Sequence, residues 1–137
     1  MNLESQDKKN LSDARMSKAV EFLEDAKANF RDSRHRTAVN RSYYAALNAV
    51  RAILILEGAN PETHEGAVTL LSLRFVRPGT LPVEVVKEFK SLHSRRTDVD
   101  YGDFDTIDKA DAEDSIRIAE EMMQVIDRAR RMLLGST

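Results

Sequence analysis

The sequence predicts an all-α protein, a bundle of four main helices and one shorter helix. Three observations carry that prediction. Apolar residues recur at helical spacing through several long stretches, with charged residues largely on the opposite faces. Five glycines and three prolines are few for 137 residues, and they fall at a handful of breaks. No strand-like alternation, internal repeat or low-complexity tract stands out.

Residues 1–10 are polar and are expected to be a flexible N-terminus, followed by a single domain over residues 11–134. The first helix is expected to open at Leu11-Ser12-Asp13 with Ser12 as its N-cap. Met16, Ala19, Val20, Leu23, Ala26 and Phe30 share one face of it, and it ends near Arg31. After the basic connector Arg31–Arg36, a second helix runs from about Thr37 to Glu57, with Gly58 as its C-terminal stop. Val39, Tyr43, Ala46, Leu47, Val50 and Leu54 form its apolar side. Ala45, Ala49, Ala52, Ile53 and Leu56 widen that side, as suits the central helix of a bundle.

Asn60-Pro61-Glu62-Thr63 is a turn, with Thr63 capping a shorter third helix whose apolar side includes Val68, Leu71, Leu73 and Phe75. Pro78-Gly79 ends it. Leu81-Pro82 begins the fourth helix, whose stripe reads Val85, Phe89, Leu92, then Arg96 and Val99, with Gly102 as the break. Asp98 to Asp114 is strongly acidic and expected to be mostly loop. The fifth helix starts near Asp108 or Asp111 and buries Ile116, Ala119, Met122, Met123, Ile126, Ala129 and Leu133. Its acidic start and basic end, Arg128, Arg130 and Arg131, suit the helix dipole.

The absence of cysteine excludes thiolate catalysis, disulfides and zinc–thiolate sites. The best apolar run, Ala52 to Leu56, is far too short to cross a bilayer, and the N-terminus has no apolar signal core. A cytoplasmic location away from membranes is therefore expected. A net charge of −2 argues against a general nucleic-acid coat protein but leaves room for a local basic groove.

One polar stripe survives on the otherwise apolar second helix: Arg41, Tyr44, Asn48 and Arg51 recur at helical spacing. Arginines on such a helix must meet solvent, an acidic neighbour or a ligand, because an unpaired buried charge is costly. Arg96 stands where the fourth helix calls for an apolar residue, so it either meets a phosphate or carboxylate or snorkels to water. His93 lies one turn earlier and can share a face with Arg96 and Asp100, as an acid–base set or as a surface ion-pair cluster. His35 with Arg31, Arg34, Arg36 and Arg41 makes the one dense basic patch, either steering a phosphodiester backbone or solvated. Asp98, Asp100, Asp103 and Asp105 do not fit the calcium-loop spacing. His64 has no second histidine at metal-ligand spacing, and no phosphate-binding glycine loop or nucleophilic serine motif is present. No metal or cofactor is expected.

Asn40-Arg41-Ser42-Tyr43-Tyr44-Ala45-Ala46-Leu47-Asn48-Ala49-Val50-Arg51-Ala52 resembles the signature helix of HEPN domains. His64-Glu65-Gly66-Ala67-Val68, Phe75-Val76-Arg77-Pro78-Gly79 and Arg95-Arg96-Thr97-Asp98-Val99-Asp100-Tyr101-Gly102 follow in the same order, before a long final helix. The resemblance covers roughly Leu11 to Leu134. It implies an antiparallel helical bundle that forms a homodimer. In many such proteins the dimer cleft holds a metal-independent ribonuclease motif, an arginine followed four to six residues later by histidine. Many are encoded beside a minimal nucleotidyltransferase, the two resembling a toxin–antitoxin pair. By that resemblance Arg96 is the motif arginine, and Arg41, Tyr44, Asn48, Arg51 and Arg95 are expected to bind nucleotide or RNA phosphates. Tyr101 stands where the motif histidine is expected, and His93 lies on the other side of the arginines. A phenol, with a reference pKa of about 10, is a poor general base at neutral pH. The departure leaves three readings: a binding protein with a catalytic pair of Arg96 and Tyr101 or His93, a Tyr101 that itself accepts a nucleotide from a partner enzyme, and a non-catalytic module that docks the nucleotidyltransferase.

Overall fold

The computed structural model describes residues 4–102 and 106–135. Among them are five α-helices and no strand: α1 (Ser5–Arg31), α2 (His35–Leu54), α3 (His64–Leu71), α4 (Val83–Tyr101) and α5 (Lys109–Gly135). A single 3-10 turn, Ile55–Glu57, extends α2, and a π turn, Ser72–Val76, extends α3. The all-α bundle is thus four long helices and one short one.

The second helix is the hub. It packs against α1, α3, α4 and α5, and Ala38, Ala45, Ala46, Ala49 and Ala52 along it are fully buried. Small side chains let the neighbouring backbones approach. Of the long helices, α1 runs antiparallel to α2 and α5, and α4 runs antiparallel to α5, which leaves α2 and α5 parallel, their N-terminal ends together at Ala38, Val39 and Ala112. Residues 12 and 22 of α1 meet 52 and 44 of α2, and residues 95 and 85 of α4 lie beside 114 and 125 of α5. Val39, Ile53, Leu54, Leu71, Phe75, Phe89, Met122 and Ile126 fill the core between them.

The helix boundaries come from local chemistry. The end of α1 is set by Ser33 in left-handed backbone (φ 60°), with the Arg34 N–H reaching the Asn29 carbonyl at 2.8 Å. Gly58 takes φ 75° and closes the 3-10 turn after α2, as its sequence position calls for. The Thr63 hydroxyl accepts from the Gly66 N–H at 2.9 Å and caps α3. Asp108 and Asp111 accept each other's backbone N–H groups at 3.1 and 2.9 Å, a reciprocal cap at the entry to α5. Those bonds favour the Asp108 carboxylate and hold its pKa below the usual range.

Three expectations need correction. α1 begins at Ser5 rather than at Ser12, its first turns held in solvent by Gln6 to Asn10 at 3.0 Å and Lys9 to Asp13 at 3.9 Å. Ser12 is therefore not a cap. It is fully buried in mid-helix and donates to the Ala52 carbonyl at 2.6 Å. The acidic stretch is not loop from its start, because α4 continues to Tyr101 before Gly102 ends it. Val20, Leu73 and Leu133, placed on apolar faces by periodicity, are 48%, 48% and 45% exposed.

Candidate functional site

The side chains with the greatest chemical potential converge where α2, α3 and α4 meet. Tyr43 and Tyr44 are adjacent on α2 and so point different ways. Tyr43 is buried and lies parallel to the Phe89 ring of α4, 5.8 Å between centroids. Tyr44 is half-buried and turns toward α1, its ring 5.7 Å from that of Phe22. The Arg96 guanidinium spans both tyrosines, 5.5 Å from the Tyr43 ring centre and 5.4 Å from that of Tyr44. Its Nη2 donates to the Tyr44 hydroxyl at 3.0 Å, and its Nε stands 3.0 Å from Asp100 Oδ2 as an ion pair outside hydrogen-bond alignment. Its Nη1 has no hydrogen bond among the described residues.

Two histidines complete the cluster. The Tyr43 hydroxyl is 3.1 Å from His64 Nδ1, and the His64 ring lies face to face with His93, with 3.7 Å between centroids and planes 10° apart. The His93 ring is 5.4 Å from Tyr43, and His64 is 4.5 Å from Phe89. Burial pushes the Tyr43 phenol up to about 12 despite the nearby Arg96 charge. Burial, with His93 alongside, pulls His64 down to about 4. The phenol therefore keeps its proton beside a neutral His64 near neutral pH, and the imidazole tautomer sets the direction of the bond between them.

The stripe on α2 divides between several partners. Arg41 lies over the Phe22 ring at 5.8 Å. Asn48 is buried and donates to the Tyr44 carbonyl at 2.8 Å, which turns its amide toward its own helix. Arg51 keeps a buried Nε without a hydrogen-bond partner. Its carbonyl accepts from Arg15 of α1 at 3.4 Å, and Arg15 also donates to Asn60 at 3.1 Å. Burial and the neighbouring Arg51 charge lower the Arg15 pKa. Arg15 thus places a second cation beside Arg51.

Arg95 faces elsewhere. It donates to the Ser115 hydroxyl at 2.8 Å, the Asp111 carbonyl at 3.1 Å and Asp114 at 3.3 Å, which ties α4 to α5. Tyr101 is 77% exposed on the last turn of α4. It lies five residues past Arg96, well round the helix from Asp100, and the structure does not bring it to the Arg96 cluster. Among the described residues no group of three His, Asp or Glu side chains converges as a metal site, and no helix is long and apolar enough to cross a membrane.

Sequence reasoning linked Arg96 with Tyr44 by residue type and spacing but missed His64, Tyr43 and Arg15 as parts of the site. His64 and His93 are far apart in the chain, and only the packing of α3 against α4 stacks them. The one local signal is the Thr63 cap, which fixes where His64 leaves the helix start.

The site is an arginine held over paired tyrosines beside stacked histidines, carried by an all-α bundle. The chain belongs to the HEPN domain family, whose sequence profile it matches over residues 12–129. It is 32% identical over 111 residues to a UPF0332 protein of Thermotoga maritima, covering 81% of this chain and 84% of the relative. It is 30% identical over 115 residues to a protein of Methanocaldococcus jannaschii named as a putative toxin, covering 84% and 83% of the two chains. A second protein of that organism, similarly named, is 28% identical over 98 residues, covering 72% and 67%.

Proposed function

We propose that this chain is the toxin-like member of a pair with a minimal nucleotidyltransferase, that it acts as a homodimer, and that it binds nucleotide or RNA phosphates at the dimer cleft through Arg96. The observation that carries the reading is the state of Arg96. Its guanidinium stands over two tyrosine rings at 5.5 and 5.4 Å, its side chain is 24% exposed, and Nη1 has no protein partner among the described residues. Arg41, Arg51 and Arg15 add positive charge to the neighbouring surfaces of α2 and α1. The relatives named as toxins support the class. Cleavage of RNA by an Arg96–Tyr101 pair is disfavoured, because Tyr101 points away from Arg96 into solvent.

The test is fluorescence anisotropy with a labelled single-stranded RNA at low salt. Wild type should bind, and Arg96→Ala should weaken binding at least tenfold while lowering the salt slope by about 0.7, the loss of one phosphate contact. No binding by wild type, or an unaffected Arg96→Ala, overturns the proposal.

A second reading has its own observation. The exposure of Tyr101 beside Asp98 and Asp100 suits a surface read by a partner enzyme, as in a non-catalytic module that docks the transferase or accepts a nucleotide from it. Co-purification with a transferase encoded by the adjacent gene, and a mass increase lost in Tyr101→Phe, would support it. The absence of both would remove it.

A further inference from the structure

We propose that His64 and His93 complete the Arg96 site as a paired imidazole that takes up one proton when a phosphodiester binds there. The inference rests on the reading that Arg96 binds phosphate, and it adds two ligand-facing residues and a proton to that site.

The geometry begins with which ring nitrogens are free. His64 Nδ1 is engaged by the Tyr43 hydroxyl. His64 Nε2 and both ring nitrogens of His93 have no hydrogen bond among the described residues, and none of them belongs to the sealed, unpartnered polar atoms. Three imidazole nitrogens are therefore open to an incoming ligand. They stand beside the Tyr43 ring over which Arg96 lies, so an anion at the open face of Arg96 reaches them as hydrogen-bond partners.

The charges around the pair set the sign of the effect. From α2 come Tyr43, Tyr44 and Arg51, from α3 Glu65, and from α4 Lys90, Arg96 and Asp100. Asp100 is engaged by Arg96, and Glu65 is exposed at the rim. Lys90 disfavours a proton on His64, and so does the other imidazole. Two rings in face contact at 3.7 Å cannot both be charged without strong repulsion, so the pair holds at most one proton and titrates as a unit. A phosphodiester brings a fixed negative charge and reverses the balance. The protonated pair then becomes an additional cation for the ligand, and binding draws a proton from solution.

The test is isothermal titration calorimetry with a short oligouridylate, whose phosphodiesters hold their charge across the histidine range. Titrations run in two buffers of different ionisation enthalpy at about pH 6 and again at about pH 8. The expected result is net uptake of a fraction of a proton per site, read as a binding enthalpy that changes with the buffer. Affinity should rise by up to about tenfold per pH unit as pH falls through the histidine range. The double variant His64→Asn/His93→Asn, checked for folding by circular dichroism, should bind RNA more weakly through Arg96 with the uptake and the pH dependence lost. RNA binding by wild type without proton uptake overturns this inference and leaves the Arg96 reading standing. Uptake that persists in the double variant does the same. A wild type that binds no RNA at either pH removes both readings.

Discussion

Replacing Arg130 with alanine should destabilise the protein by about 3 kcal/mol, and the value follows from what that side chain holds together. Arg130 is 7% exposed on α5. It grips Asp127 Oδ1 through Nε at 3.1 Å and Nη2 at 3.0 Å, and it crosses to α1 through Nη1, which donates to Asp13 Oδ1 at 2.6 Å and to the buried Ser12 hydroxyl at 3.4 Å. The Asp127 side chain is 23% exposed and keeps a second partner in Arg131 at 2.8 Å, while Asp13 is 49% exposed, so neither carboxylate is stranded when Arg130 is lost. The ion-pair terms must be discounted for that solvent. We assign about 1–2 kcal/mol to the two bonds with Asp127 and under about 1 kcal/mol to the link with Asp13. The packed stem of the arginine adds about 1 kcal/mol. For a chain of this size the sum corresponds to a fall in Tm of about 10 °C. Arg130→Met keeps the stem and should recover about 1 kcal/mol of the loss. Urea unfolding followed by far-UV circular dichroism measures both. An Arg130→Ala variant within about 0.5 kcal/mol of wild type would show that the α1–α5 clamp is ornamental, and the reasoning would fail.

Three further outcomes are expected. His64 sits at about 4 in the folded protein against 6.5 when free, so between those values the unfolded chain alone takes the proton, and stability falls as pH is lowered through that window. His64→Asn should flatten that slope, read as the difference in urea midpoint between about pH 7 and pH 5, and an identical slope in the variant would contradict it. Thr63→Ala removes the hydroxyl that caps α3 and should cost about 1 kcal/mol, checked by thermal unfolding. Arg41→Ala and Arg51→Ala should each reduce the salt dependence of RNA binding by about 0.7 in log–log slope, and a slope unchanged in both would take the α2 stripe out of the binding surface.

Much of the fold was readable because its boundaries are local. Gly58, Thr63, Pro78-Gly79 and Gly102 each end or begin an element through the chemistry of a few neighbouring residues. The start of α1 was not readable, because Ser5 to Asn10 carry no apolar periodicity and are held by solvent-facing side chains one turn apart. The site divides the same way. Arg96 announced itself as a charge on an apolar stripe, and Tyr44 as part of a polar one, since each signal lives within one helix. The His64–His93 stack depends on how α3 is laid across α4, and the spacing of two residues in the chain holds no trace of that. Arg130 was hidden for a third reason. It sits in a basic run with Arg128 and Arg131, which reads as a complement to the dipole of α5 until its side chain is seen turned inward.

Three arginines with similar sequence signals therefore carry different meanings, and the partners they meet separate them. Arg130 satisfies two carboxylates and a hydroxyl and has no reason to meet a ligand. Arg95 places only Nη1, on a carbonyl, a carboxylate and a hydroxyl of α5, with no hydrogen bond from Nη2 or Nε among the described residues; its direction toward α5, not saturation, keeps it out of the Arg96 cluster. Arg96 alone of the three stands over aromatic rings, with one carboxylate outside hydrogen-bond alignment and no hydrogen bond from Nη1 among the described residues. A structural arginine gains stability from every donor it places, so an arginine left underused at a half-exposed junction of three helices is more economically explained by a ligand than by the fold. The consequence can be checked on stability alone. Arg96→Ala should cost less than Arg130→Ala, under about 1.5 kcal/mol, because it breaks one hydrogen bond and one misaligned ion pair. A cost equal to that of Arg130→Ala would mark Arg96 as scaffold and remove the physical ground for placing phosphate there.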